Sequence, residues 1–187
     1  MNKVLQNIQE RRSVRFYKQK TIPQNILKQI IDVGNQAPTA MNTQNFRFIV
    51  IQEKTILDRL RKLAIPKYQE WLKDKPEFVK ARRAKVDVKT SDPVYYFADV
   101  VIVLIGYGMT SDFDCPMVCE NMMLAARALD VGSCWVYLGQ LGMEDPEIQK
   151  ILELKEGEII YGPILFGYPK DDFPQSPSKK PPLVKWI

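Results

Sequence analysis

Apolar residues return at helical spacing at Val4, Leu5 and Ile8, and the run stops at Glu10-Arg11-Arg12-Ser13-Val14-Arg15-Phe16. That pattern predicts a short helix followed by a turn or an extended segment over 13–17. Ile26, Leu27, Ile30, Ile31 and Val33 mark one buried face of a second helix, entered at Thr21 and Pro23 with Thr21 or an adjacent residue as its expected cap and ended by Gly34 and Pro38. Residues 46–51 read as a buried strand after a loop of small and amide side chains. Ile56, Leu57, Leu60, Leu63 and Ala64 predict a helix over 53–75, broken near Pro66, with a further helix over 78–89. Residues 98–106 are apolar on both faces and rich in β-branched side chains, as a central strand covered on each side requires. A helix from Asp114, the expected cap ahead of Pro116, to Leu129 comes next. A strand over 131–139 ending in a glycine loop, a short helix over 146–154 and a buried strand over 159–169 complete the pattern.

Composition narrows the class. With 187 residues, 45% hydrophobic and 26% charged, and with no repeat or long linker, the chain is expected to form one domain over 1–187. The segment 1–10 lacks the apolar core of a signal peptide and the run 100–105 is too short for a bilayer, so a cytoplasmic chain without membrane contact is expected. Three cysteines, Cys115, Cys119 and Cys134, and no histidine argue against a disulfide framework, a metal centre and the histidine-dependent nucleophile arrangements. Chemistry in such a chain belongs to a bound cofactor. The 27 Lys and Arg against 22 Asp and Glu leave a charge of +5, and much of the excess lies between Lys54 and Lys89. It recurs at the spacing of a wet helix face without an aromatic stacking motif, so nucleic acid is not the expected partner.

Three stretches carry candidate chemistry. Arg11, Arg12 and Arg15 with Ser13 place fork-shaped donors and a hydroxyl at a helix exit, suited to an anion such as phosphate; a solvated, salt-bridged helix end is the alternative. Pro38, Thr39, Met41, Asn42 and Gln44 offer amide donors and acceptors for the edge of a planar heterocycle, or else a turn that satisfies its own backbone. Leu138 and Gly139 form a glycine loop where backbone amides can approach a ligand. Tyr68, Trp71 and Phe78 either roof a pocket or are core and interface residues. The tail over 170–187 ends on Leu183, Val184, Trp186 and Ile187, an apolar tip for an arm that docks on a second subunit or on its own.

Together, Arg11-Arg12-Ser13-Val14-Arg15, the stretch 37–46, Glu120-Asn121-Met122-Met123-Leu124-Ala125-Ala126 leading to Gly132-Ser133-Cys134-Trp135, and Gly167-Tyr168-Pro169 resemble the nitroreductase family of FMN-dependent oxidoreductases in its compact form. The region 53–96 carries no part of the resemblance. The resemblance implies an α+β fold, a mixed sheet wrapped by helices in an intertwined homodimer, with FMN at the subunit interface. It implies that Arg11 and Ser13 hold the FMN phosphate together with Lys179 or Lys180, that Arg12 is among the cofactor-binding residues, and that Arg15 faces the N1/C2-carbonyl edge of the ring. Pro38, Thr39, Met41, Asn42 and Gln44 then lie along the ring and ribityl chain, and Leu138 and Gly139 flank N5. The activity implied is ping-pong hydride transfer from NADH or NADPH to a small acceptor such as a nitroaromatic or quinone. The alternatives are a specialised flavin enzyme, dehalogenating or flavin-fragmenting, and a flavin- or nucleotide-binding module without turnover. Asn45, Phe46 and Asp130 depart from the common residues of the family at their positions.

Overall fold

The most apolar run becomes the inside of a sheet. In the computed structural model, which describes residues 2–87, 89–175 and 177–187, β2 (Val100–Gly106) is buried along its whole length. Position 88 of the expected fourth helix and position 176 of the tail lie outside the described residues. β1 (Phe46–Ile51) flanks β2 on one side and β4 (Ile159–Gly167) on the other, with β3 (Gly132–Trp135) beyond β4. Because side chains alternate along a strand, β2 feeds two apolar layers. Val100, Ile102 and Leu104 join Leu27, Ile30, Val118, Cys119 and Met122 of α2 (Gln24–Gly34) and α5 (Ser111–Ala128). Val101, Val103 and Ile105 join Leu57, Leu60, Ala64 and Tyr68 of α3 (Lys54–Lys73), with Tyr95 and Tyr96. α1 (Lys3–Glu10), α4 (Glu77–Asp87) and α6 (Pro146–Ile151) complete the helices.

Helices on both faces of one sheet give the expected α+β arrangement. All three strand pairings are antiparallel. The mixed character expected of the sheet is confined to one parallel bridge, Ser13 to Ser133, where the N-terminal segment touches β3 before crossing to β4.

Several local expectations are corrected. Thr21 does not cap α2, which starts at Gln24 behind Pro23 with no side-chain cap bond. Its entry is held instead by Asp99, whose carboxylate accepts the Ile22 N–H at 2.7 Å and the Gln52 amide at 3.1 Å. Val33 is exposed rather than part of the buried face. α3 is not broken at Pro66: proline and Lys62, whose carbonyl it leaves free, both lie on the exposed side, while Leu57, Leu60, Ala64 and Tyr68 keep one buried face across it. β1 is an edge strand, largely half-buried, with Val50 exposed. α5 begins a turn earlier than expected, after Thr110, so Asp114 sits inside the helix and binds elsewhere. Tyr68 is buried and stacked on Trp71, whereas Phe78 is exposed.

The edge strand is latched to the loop before β4. Arg47 gives Glu158 two bonds, Nε to Oε1 at 3.0 Å and Nη2 to Oε2 at 2.7 Å, and also reaches the Leu152 and Glu153 carbonyls. The Arg47 bonds hold the Glu158 carboxyl down at about 2. A folded value below the ordinary carboxylate value of about 4.3 stabilises the fold above that pH, and the contribution is lost as pH falls toward about 2. Glu158→Gln is expected to lower stability at pH 7 by roughly 1.5 kcal/mol in urea unfolding, the low end for bonds to a charged group, since the Glu158 side chain is 8% exposed, and the gap from the wild type should close between about pH 4.5 and pH 2.5. A gap that stays constant over that range contradicts the assignment.

Candidate functional site

Residues 13–17 reach their place because two glycines leave room for them. A Cβ on Gly132 would come within 2.9 Å of Val14, and one on Gly167 within 2.6 Å of the Tyr17 ring. Val14 and Tyr17 are therefore buried against the ends of β3 and β4. Backbone bonds fix the segment: Val14 N–H to Ser133 O at 2.9 Å, Lys18 N–H to Tyr168 O at 2.8 Å and Lys170 N–H to Phe16 O at 2.9 Å. With Val14 and Tyr17 buried, Ser13 and Arg15 are left half-buried beside Arg11 and Arg12.

These four residues line one cleft of about 270 Å³ with Pro174, Gln175, Pro177 and Lys179 of the tail. The tail therefore passes over the arginine cluster of its own chain, with Phe173 packed under the Arg127 guanidinium at 4.3 Å. Lys179 lines the cleft; Lys180 is exposed and does not. Arg11 is ion-paired with Glu120 at 3.3 Å, and Arg12 turns one nitrogen to the Arg11 carbonyl. The buried Arg12 Nε makes no hydrogen bond among the described residues. Arg127 Nε is unpaired in the same way, so the orphan alone marks no ligand; it is the gathering of Arg11, Arg12, Arg15 and Lys179 along one cleft that fits a phosphate group. Beneath the cleft, burial pushes the Cys134 thiol up, against the pull of Arg15 and of its bond with Ser13, so it stays protonated at neutral pH.

The loop 37–45 is held elsewhere. Ala40–Asn42 form one 3-10 turn, and Met41, Asn42 and Gln44 have positive φ of 51°, 56° and 50°. Buried Asp114 anchors it, accepting the Thr110 hydroxyl at 2.8 Å and the Ala40 N–H at 3.3 Å. Thr39 Oγ1 accepts the Gln44 N–H, and the Gln44 and Asn42 amides bond each other at 2.9 Å, so the loop satisfies part of its own polarity. Pro38 and Met41 are exposed. Ser13 meets Ser133 at the Val100 end of the sheet, whereas the loop enters β1 where Phe46 pairs with Gly106. The two segments lie at opposite ends of the sheet, about 20 Å apart along strands of this length.

Leu138 and Gly139 lie in a 3-10 turn, Tyr137–Gly142, on the α3 side of the sheet. Gly139 is buried against Pro163, its N–H bonded to Val136 O at 3.0 Å and its carbonyl accepting the Tyr95 hydroxyl; Leu138 is half-buried. The stretch 92–97, which the sequence pattern did not single out, touches both this turn and the arginine cluster. Its Ser91-Asp92-Pro93 start is the signal that marks it as a side-chain-stabilised turn.

Residues 8–168 match the nitroreductase family model. The chain belongs to the nitroreductase family. Its fold is similar to that of a nitroreductase with bound FMN from Bacteroides fragilis, at 25% identity and a TM-score of 0.78 over 100% of both chains. A nitroreductase with bound FMN from Desulfitobacterium hafniense is also 25% identical, with a TM-score of 0.79 over 99% of this chain and 100% of that one. Among sequence relatives, an FMN reductase [NAD(P)H] of Bacillus subtilis is 24% identical over 181 residues, 95% of this chain and 70% of that protein.

Proposed function

We propose that the chain is an FMN-dependent oxidoreductase, one domain over 1–187, that takes hydride from NADH or NADPH and passes the electrons to a small acceptor such as a nitroaromatic or quinone. The reductant leaves before the acceptor enters, in a ping-pong exchange. The observation that carries the reading is the convergence of Arg11, Arg12, Ser13, Arg15 and Lys179 on one cleft around a buried, unpartnered guanidinium N–H. Family membership and the FMN held by relatives supply the owner of the phosphate.

FMN, when bound, supplies the hydride-accepting N5. The chain's own groups have simpler tasks. Arg11, Arg12 and Lys179 give charge-assisted donors to phosphate oxygens and Ser13 adds a hydroxyl; Lys180, exposed outside the cleft, has no such position. Arg15 is a fixed cation for the negative charge that reduction builds at the N1/C2-carbonyl edge. Hydride transfer requires no general base, so a chain without histidine is suited to it. With the Gly139 N–H already bonded, half-buried Leu138 is the member of its pair that flanks the ring.

The loop 37–45 cannot share a ligand with the arginine cluster of its own chain across the sheet, so Pro38, Thr39, Met41, Asn42 and Gln44 serve the cofactor of a second copy. Exposed apolar groups support that homodimer: Val4, Leu5 and Ile8 of α1, Met41, Met109 and Phe113 near the loop, and Leu183, Val184, Trp186 and Ile187 at the tail's end. The free thiols Cys115, Cys119 and Cys134 support a cytoplasmic setting.

Arg11→Ala combined with Ser13→Ala is expected to weaken FMN binding by about 3 kcal/mol or more, on the order of 100-fold in Kd, since bonds to charged groups are each worth about 1.5–3 kcal/mol; unchanged affinity by fluorescence titration rejects the phosphate assignment. Truncation after Gln175 removes Lys179 and the apolar tip together. Sedimentation and flavin content should then show a weakened dimer that has lost part of its FMN, and a truncated protein still dimeric and fully loaded refutes the docking arm.

A further inference from the structure

Arg15, half-buried at the cleft, rests on a ring rather than on a carboxylate. Its guanidinium carbon lies 6.0 Å from the centre of the Tyr96 ring, a cation–π contact. Tyr96 is 3% exposed, and its backbone is held at φ 54°, a conformation that disfavours a bulky side chain. Something must impose it. Asp92, fully buried, accepts the N–H groups of Val94, Tyr95 and Phe97 at 3.3, 2.8 and 2.9 Å, and Arg61 balances its charge with Nε at 3.0 Å. One carboxylate thus winds the whole turn.

The turn aims two tyrosines at the residues read as flanking the ring. Tyr95 gives its hydroxyl to the Gly139 carbonyl. Tyr96 lays its ring by Arg15 and receives Arg83 Nη1 on its hydroxyl at 3.1 Å. Arg83, on α4, is itself fixed by the Pro93 carbonyl at 2.6 Å and the Tyr68 hydroxyl at 2.9 Å. Two cations therefore bracket one tyrosine, each on the part of it that attracts a cation. A loose arginine loses much of its electrostatic effect to rotamer averaging, whereas one seated on a clamped ring keeps its charge in place.

We propose that Tyr96, clamped by the Asp92-held turn and Arg83, is a positioning residue that seats Arg15 and so sets the reduction potential of the bound cofactor. The inference rests on the FMN reading given above. It assigns a task to the segment 92–97 and to α4.

The test is the two-electron midpoint potential of FMN bound to the wild type, Arg15→Gln, Tyr96→Leu, Tyr96→Phe and the two double variants with Arg15→Gln. Arg15→Gln and Tyr96→Leu should each cut the preference for reduced over oxidised FMN about tenfold, which lowers the potential by about 30 mV. Tyr96→Phe keeps the ring, leaves charge unchanged and releases only Arg83, so its shift should be smaller and in the same direction. Neither Tyr96 substitution should lower the potential further once residue 15 is Gln, because coupled residues are not additive. A Tyr96 shift that persists undiminished in the Arg15→Gln background overturns the inference, as does an unchanged potential in both Tyr96 variants. Wild-type protein that takes up no added FMN overturns the cofactor reading and this inference with it.

Discussion

The fit of residues 13–17 against the ends of β3 and β4 is the constraint on which the site depends. Gly132 and Gly167 have no side chain where Val14 and Tyr17 lie down, and a methyl group at either position would collide with them. The two apolar anchors, Val14 and Tyr17, fix the path of the segment and with it the positions of Ser13 and Arg15. Ser13 and Arg15 sit half-buried beside Arg11 and Arg12 at the cleft, and the tail closes over them with Lys179. The same segment is bonded on both sides by backbone, to Ser133 and to Tyr168 and Lys170, so the cations sit on a rigid edge rather than a mobile loop.

Much of this was legible from spacing. The bounds of β1 and the centre of β2 followed from apolar runs that only a covered sheet can bury. The arginine cluster was legible as four donors in five residues at a helix exit, open either to an anion or to a salt-bridged helix end, and Arg11 does pair with Glu120. What failed did so where tertiary contacts outweighed local preference. Asp114 looks like a helix cap, yet it ties Thr110 and Ala40 together inside α5, since a buried carboxylate goes wherever unpaired N–H groups and hydroxyls converge. Pro66 should break a helix, but α3 places it on the wet side and keeps its apolar face intact. Thr21 lost its role to Asp99, a residue 78 positions further on and invisible to a local pattern. The turn 92–97 carries a local signal in Ser91-Asp92-Pro93, but its bearing on the site comes from distant contacts, Tyr95 to Gly139 and Tyr96 to Arg15, that a local pattern does not show.

Some departures from ordinary local geometry lie beside the proposed cofactor positions, whereas those at Asp130 and Glu153 lie elsewhere. Met41, Asn42, Gln44 and Tyr96 all take positive φ without being glycine, and Arg12 keeps a buried N–H unpaired. Each costs stability that the two apolar layers of the sheet can spare, and each makes sense if a ligand and a second subunit complete the structure. Exposed apolar groups on α1 and the tail point the same way, since a chain with so thorough a core would otherwise have no reason to leave them uncovered.

The most direct test of the account is the visible absorption spectrum of the purified protein reconstituted with FMN, followed by anaerobic addition of NADPH and then NADH. Flavin bands that co-purify or appear on reconstitution, and that bleach with either reductant, are the predicted result. A protein that stays colourless after incubation with FMN, or that holds FMN which neither reductant bleaches, contradicts the central claim.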